Sequence, residues 1–245
     1  LFQAPDLRVL FAIPYQHNYT LIGTTDTPFH GNPSDAAITT EEQEYLLHNL
    51  NTYFKQPIQA GDVHWAFSGV RALYNPSDAK GAKISRDFHI AMECENNLPA
   101  LTLFGGKLTT HREVAEDAIN QLKPYFPNMK PACTATAPLP GGQLQAVSLD
   151  DFFSQCQHRY PWLPHPVLLH YVRHYGAHLH RLLTDCQTLN DLGTHYGDTL
   201  YQREITYLQE NEWARTADDI LWRRTKYGLQ LNDNQTTRVE LALAR

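Results

Sequence analysis

The sequence predicts an α+β protein: a partial mixed sheet with covering helices over residues 1–140, followed by an all-α domain over 141–245. Three observations carry this. Up to the glycine pair Gly105-Gly106, β-rich apolar runs alternate with a helical pattern. A stretch rich in Pro, Ala, Thr and Gly, from Pro131 to Gly142, then separates two compositions. Beyond it, apolar residues recur at helical spacing between capping signals.

The elements follow in order. Residues 7–14 (LRVLFAIP) and 18–25 (NYTLIGTT) are β-rich runs separated by a short polar link, the outline of a hairpin. Breakers Pro28, Gly31 and Pro33 make the next stretch a loop. Thr39 with Glu42, or Thr40 with Gln43, then forms a capping box, and Tyr45, Leu46, Leu50 and Phe54 line one helical face. Residues 62–73 (DVHWAFSGVRAL) read as a strand covered on both faces, because their apolar members crowd together rather than alternate. Residues 84–93 (ISRDFHIAME) and 101–106 (LTLFGG) are further strands. The helix after Gly106 carries Leu108, Ala115, Ala118, Ile119 and Leu122 on one face and ends at Pro124. In the second half, helices are expected over 149–158, 164–175, 177–185 and 198–214. Another starts at Thr216, with Asp218 and Asp219 in its first turn, Arg223, Arg224 and Lys226 in its last, and Gly228 beyond. A final helix begins near Asp233.

The chain has 245 residues, 20 basic against 26 acidic, and a net charge of −6, which argues against a nucleic-acid partner. No apolar run of about 18 residues exists to span a membrane. The chain begins LFQAPDL, without Met or a signal core, so a piece of a longer polypeptide is expected. Cys94, Cys133, Cys156 and Cys186 are widely spaced and form no CxxC pair, which fits a reduced, cytoplasmic protein.

Gly105, Gly106 and Lys107 place bare backbone and a cation at a helix start, where unpaired N–H groups and the helix dipole favour an anion. The same turn is also ordinary α/β connection chemistry. Arg71, after SGV, and Arg86, in ISRDF, are strand-end cations whose forked donors suit phosphate or carboxylate. The plain alternative pairs them with Asp26, Asp87 or other rim carboxylates. Thr24, in IGTTD, either contacts a ligand or caps the turn. His170, His174 and His178 share one helical face, but no carboxylate completes an HExxH pattern and Gly176 interrupts the run, so solvated or capping histidines are the reading. The aromatics of YPWLP and ILWRRTKYG read as core and helix–helix contacts.

IGTTD (22–26), SGVR (68–71), ISRDF (84–88), FGGKLTTHR (104–112), PLPGG (138–142), DLG (191–193) and ADDILWRRTKYGL (217–229), taken in this order, resemble the FAD-dependent aerobic glycerol-3-phosphate dehydrogenases over nearly the whole chain. SGVR departs slightly, with Ala72 where relatives often carry Pro. The GxGxxG turn that holds the ADP part of FAD is absent, as are the family's N-terminal active-site arginine and histidine. The resemblance therefore implies the C-terminal part of such an enzyme, inactive alone and weak in FAD retention. It implies oxidation of sn-glycerol 3-phosphate to dihydroxyacetone phosphate, with hydride passing to FAD and electrons to a membrane quinone. It also implies peripheral attachment at the inner face of the cytoplasmic membrane, and it admits a homodimer. By the same resemblance, Arg71 and Lys107 are catalytic, and Arg86 and Thr24 bind substrate. Gly105, Gly106, Lys107, Leu108 and Thr109 lie at the isoalloxazine end of FAD, where a positive helix end stabilises the reduced ring. Arg71 acts as an electrostatic stabiliser, since an arginine is a poor proton acceptor. Two other readings stand beside this one: a non-catalytic helical interaction module, and a related FAD-dependent amine or amino-acid oxidase in which Arg86 faces a carboxylate.

Overall fold

The structure is a computed structural model that describes residues 1–16, 18–74, 86–96 and 98–243. Its helices and small antiparallel sheets make the protein α+β. The chain divides into two units, Leu1–Tyr15 with Thr20–Ala137, and Gln16–Tyr19 with Pro138–Arg245.

The first unit begins with a three-stranded sheet, β1 (Phe2–Gln3), β2 (Val9–Tyr15) and β3 (Tyr19–Gly23), in that order, with Phe2 opposite Leu10. Helix α1 (Thr40–Asn51) starts at the capping box read from the sequence. The Glu42 amide donates to Thr39 Oγ1 at 3.2 Å, and the Thr39 amide donates to Glu42 Oε2 at 3.1 Å. Leu46 and Leu50 of α1 are buried against Ala4 and Leu10, with Phe2, Ile22 and Phe54 closing the edge. Each fully buried leucine contributes roughly 1.5–3 kcal/mol, so this small cluster is what joins α1 to the sheet.

The expected strand over 62–73 does not form. After a 3-10 turn (Ala60–Asp62) the chain runs irregularly to Tyr74, and Phe67 is 64% exposed. The segment has the composition of a doubly covered strand but pairs with no strand among the described residues, and apolar content alone does not make a ladder. Ile84 and Ser85 of the ISRDF motif lie outside the described residues. The hairpin that follows is regular: β4 (Phe88–Glu95) pairs antiparallel with β5 (Leu98–Gly105), from Phe88↔Gly105 to Glu95↔Leu98. The helix after the glycines opens with a 3-10 turn, Leu108–Thr110, and α2 proper is His111–Leu122. The tight turn arises because the Thr110 amide and hydroxyl both donate to the Lys107 carbonyl, at 3.0 and 2.9 Å. Pro124 ends the helix in a second 3-10 turn, Lys123–Tyr125.

The second unit is mostly helical: α3 (Leu149–Arg159), α4 (His165–Tyr175), α5 (Leu179–Leu182), α6 (Gln202–Asn211) and α7 (Asp233–Leu243). It is not all-α. Residues 198–201, expected to begin a helix, belong instead to a hairpin of β6 (His195–Gly197) and β7 (Leu200–Tyr201), and α6 starts only at Gln202. The turn signal Gly197-Asp198, flanked by β-formers, was present in the sequence and outweighs the helical spacing of Tyr201, Ile205 and Leu208. The helix capped by Thr216 also differs. Over Asp219–Arg224 it widens to a π-helix, and the Thr225 amide and hydroxyl both donate to the Ile220 carbonyl, at 3.1 and 2.5 Å. Its N-terminal carboxylate behaves as the sequence indicates. Asp219 accepts from the Arg215 and Thr216 amides, and these bonds hold its carboxyl well below the usual range. Gly141 and Gly176 bring two backbones together, the Ala177 amide donating to the Gly141 carbonyl at 2.8 Å. One apolar cluster runs from Phe152 through Leu168, Tyr171, Leu182 and Ile205 to Val239.

Candidate active site

The end of the β4–β5 hairpin is where three separated stretches of the first unit meet. Tyr74 stacks on His89 of β4 with ring centroids 4.5 Å apart and planes within 3°, and Phe104 of β5 lies 5.1 Å from Tyr74. This stacking carries the 71–74 segment against the hairpin despite its lack of ladder bonds. Gly105 is the contact point. Its φ is +68°, and a Cβ there would stand 3.2 Å from the Asp87 carbonyl oxygen and 3.4 Å from Ala72 O and Tyr74 N. Only glycine combines that conformation with that close an approach. The residues next to Arg71 and Arg86 are thus packed on either side of the glycine turn.

Both guanidinium groups reach one carboxylate. Arg71 Nη1 is 2.5 Å and Arg86 Nη2 is 3.3 Å from Asp26 Oδ2. Two cations sharing an oxygen are held close together, and each keeps further N–H donors for another anion. The structure therefore unites Arg71 and Arg86, as the ligand reading requires, and supplies the Asp26 pairing that the plain alternative requires. Thr24 lies two residues from Asp26 and donates its hydroxyl to the Thr25 carbonyl at 3.0 Å.

Lys107 follows the turn. It is exposed, and its ammonium has no carboxylate partner among the described residues. Gly106 also has positive φ, +87°, and its neighbour Leu108 is 88% exposed. The amides of Leu108 and Thr109 meet no protein acceptor among the described residues. Gly105 to Thr109 thus offer unpaired N–H groups, a cation and an exposed apolar side chain on one turn. That donor set fits the polar edge and flat face of a flavin ring, and the described residues contain no strand–GxGxxG–helix turn to cradle the pyrophosphate of the cofactor.

The comparisons with known proteins bear on this arrangement. Residues 2–112 match the family described as FAD dependent oxidoreductase, and residues 132–243 match the C-terminal domain of alpha-glycerophosphate oxidase. The chain is 45% identical over 240 residues to a glycerol-3-phosphate dehydrogenase of Pseudomonas aeruginosa, and 40% identical over 240 residues to an aerobic glycerol-3-phosphate dehydrogenase of Escherichia coli. The chain belongs to this family of FAD-dependent oxidoreductases. These alignments cover 98% of the chain but 47% and 48% of the two relatives, so the chain spans about half their length. A further member, the D-erythritol 1-phosphate dehydrogenase of Brucella abortus, is 40% identical over 95% of the chain and 46% of its own length.

Two features of this family member escaped the sequence reading. The sequence marks Glu42 only as part of the helix cap, yet the Thr25 and Thr27 hydroxyls donate to its Oε1 at 2.8 and 2.9 Å. Its carboxyl is held below the usual range by the Thr39 amide first and the Thr25 hydroxyl next. In the second unit, His170 is neither solvated nor a cap. Its Nε2 lies 2.6 Å from Oε1 of the fully buried Glu204, which also accepts from Tyr175 OH at 2.5 Å and Tyr227 OH at 3.0 Å. Among the described residues, no group of three or more His, Cys, Asp or Glu stands in a metal-holding arrangement, and no helix is long and apolar enough to cross a membrane.

Proposed function

We propose that the chain is the substrate-binding and C-terminal part of a flavoprotein that oxidises sn-glycerol 3-phosphate to dihydroxyacetone phosphate. The observation that carries this reading is the pairing of Arg71 and Arg86 on a single oxygen beside the Gly105 turn. Arg86 binds the phosphate, with Thr24 lining the pocket. Arg71 orients the C2 hydroxyl and stabilises the negative charge that grows on its oxygen as the hydroxyl proton passes to water. Lys107 adds a second cation on that side. Gly105, Gly106, Lys107, Leu108 and Thr109 would hold the flavin end of FAD, which when bound would supply the hydride acceptor for C2. Electrons leave to a membrane quinone, with the protein peripheral at the cytoplasmic face and a homodimer as its assembly. Residues 1–140 belong to the FAD and substrate region, and 141–245 form the C-terminal domain.

A second substrate reading is favoured by the name of the Brucella abortus relative: a longer polyol 1-phosphate in the same anion site. Both follow from a phosphate anchored on arginine and a secondary alcohol presented to the flavin.

A chimera tests this, with the remaining half of the Pseudomonas aeruginosa relative joined to the start of this chain. It is expected to bind flavin and oxidise sn-glycerol 3-phosphate with an artificial acceptor. Arg86→Ala raises KM about tenfold or more, and Lys107→Ala lowers kcat. A flavin-loaded chimera that oxidises neither polyol phosphate would overturn the assignment. The 245-residue chain alone is expected to retain little FAD, and stoichiometric flavin in it would count against the division of the cofactor site.

A further inference from the structure

The arginine pair is only as well placed as the carboxylate that joins it, and Asp26 sits on an exposed loop. Two like charges with no bridge would separate. Arg71 and Arg86 come from chain segments on either side of residues 75–85, and among the described residues no hydrogen bond links the two arginines directly. What fixes Asp26 is its neighbours. In an extended segment, alternate residues face opposite ways. Thr25 and Thr27 face α1 and donate to Glu42 Oε1, at 2.8 and 2.9 Å. Asp26, between them, faces the arginines. Glu42 Oε2 accepts from the Thr39 amide, which ties the clamp to the first turn of α1. Helix α1 is in turn fixed to the sheet through Leu46 and Leu50. A rigid line of contacts therefore runs from the small core, through Glu42 and two hydroxyls, to the carboxylate that spaces the guanidinium groups.

We infer that Glu42 is a positioning residue for the Arg71–Arg86 anion site, acting through Thr25, Thr27 and Asp26. Glu42 bonds to neither arginine; its carboxylate accepts from Thr25, Thr27 and the Thr39 amide. It sets where Asp26 stands, and so how far apart two forks wait for a phosphate. This rests on the anion-site reading above.

The test uses the 245-residue chain and inorganic phosphate, read by the side-chain NMR signals of Arg71 and Arg86, so it needs no flavin and no turnover. Wild-type chain is expected to bind phosphate at these two arginines. Absence of that binding would sink the anion-site reading itself. Given binding, the double variant Thr25→Ala, Thr27→Ala breaks the clamp and leaves the helix cap intact, and phosphate affinity is expected to fall about tenfold. Glu42→Ala falls similarly. Glu42→Gln, whose carbonyl oxygen still accepts from both hydroxyls, stays within about threefold of wild type. Once Asp26→Ala is present, Glu42→Ala causes no further loss, because the route runs through Asp26. Thr39→Ala, which weakens only the cap, is the control and leaves affinity unchanged. Unaltered phosphate affinity in the folded Thr25→Ala, Thr27→Ala variant would overturn the inference and leave the anion site standing. Additive losses from Glu42→Ala and Asp26→Ala would do the same. In the chimera, the clamp variants raise KM through Arg86 and lower kcat through Arg71, each by less than removal of that arginine.

Discussion

Leu10 and Leu168 are both completely buried, yet they sit in cores of different extent. Leu10 belongs to a cluster with Ala4, Leu46 and Leu50, and that cluster reaches only β1–β3 and α1. Helix α2 has no buried residue, and neither strand of the β4–β5 hairpin has one. Leu168 belongs to a cluster that draws on every helix of the second unit. The first unit leaves Phe67, Leu103, Phe104 and Leu108 exposed, and the second, for all its larger core, leaves Leu139, Val147, Trp213 and Leu241 exposed at its own surface. The units differ in how much apolar area each encloses, not in whether any is left open. The polar groups are divided the same way. In the first unit, charges converge at the surface around Asp26. In the second, a carboxylate is fully enclosed.

The strongest way to break this comparison is to attack the enclosed carboxylate. Glu204→Ala leaves Tyr175 OH, Tyr227 OH and His170 without their acceptor inside a packed core. A loss of about 3–5 kcal/mol from the second unit is expected. Denaturation followed by Trp162 and Trp222 fluorescence should show it, while hydrogen exchange in α1 stays as it was. A loss below about 1 kcal/mol would mean that the cluster does not act as one core.

A smaller effect comes from pH. Burial lowers the proton affinity of His174, helped by the neighbouring His170, and burial then Arg159 lower that of His180. The folded values lie below those of the unfolded chain. Their contribution to stability is therefore complete above about pH 6.5, the ordinary histidine value. It is lost as pH falls below that and through the depressed folded values, because the unfolded chain takes up the protons first. His174 keeps an open edge to water, so His180, held by Tyr160 OH at 2.8 Å, is the better probe. His180→Gln should flatten the pH dependence of the second unit's denaturation midpoint. A midpoint equal at pH 8 and pH 5.5 in the parent chain would remove the argument.

The smallest perturbation reads the contrast without changing stability. Cys94 and Cys133, in the first unit, are exposed. Cys156 is buried in the second, and burial pushes its thiol up to about 11; Cys186 is half-buried and raised in the same direction. A thiol reagent at neutral pH should modify two cysteines quickly, Cys186 slowly, and Cys156 only when the second unit unfolds. Rapid labelling of Cys156 in the native chain would contradict the packing described.

How much of this was legible beforehand depends on the range of the interaction that decides it. The Thr39–Glu42 cap, the stop at Pro124, the strand character of the β4 and β5 runs and the glycine turn after β5 were all readable, because each is settled by residues a few positions apart. The reading failed where neighbours in space outvote neighbours in sequence. DVHWAFSGVRAL has a strand's composition but no partner strand among the described residues. Two other misses were local: the Asp219–Arg224 helix widens where Thr225 closes on Ile220, and in the β6–β7 hairpin a Gly-Asp turn outweighs helical spacing.

By itself, then, the amino-acid order determined the α+β class, the helix caps and the run of motifs that marks the family, since all of these are local chemistry repeated along the chain. Tertiary structure alone decided that Asp26 gathers Arg71 and Arg86 across 45 and 60 residues of chain, that Glu42 clamps the loop holding it, and that Glu204 is sealed against His170. The physical reason is that a charge or hydroxyl has no fixed partner until the backbone brings two distant stretches within hydrogen-bond reach.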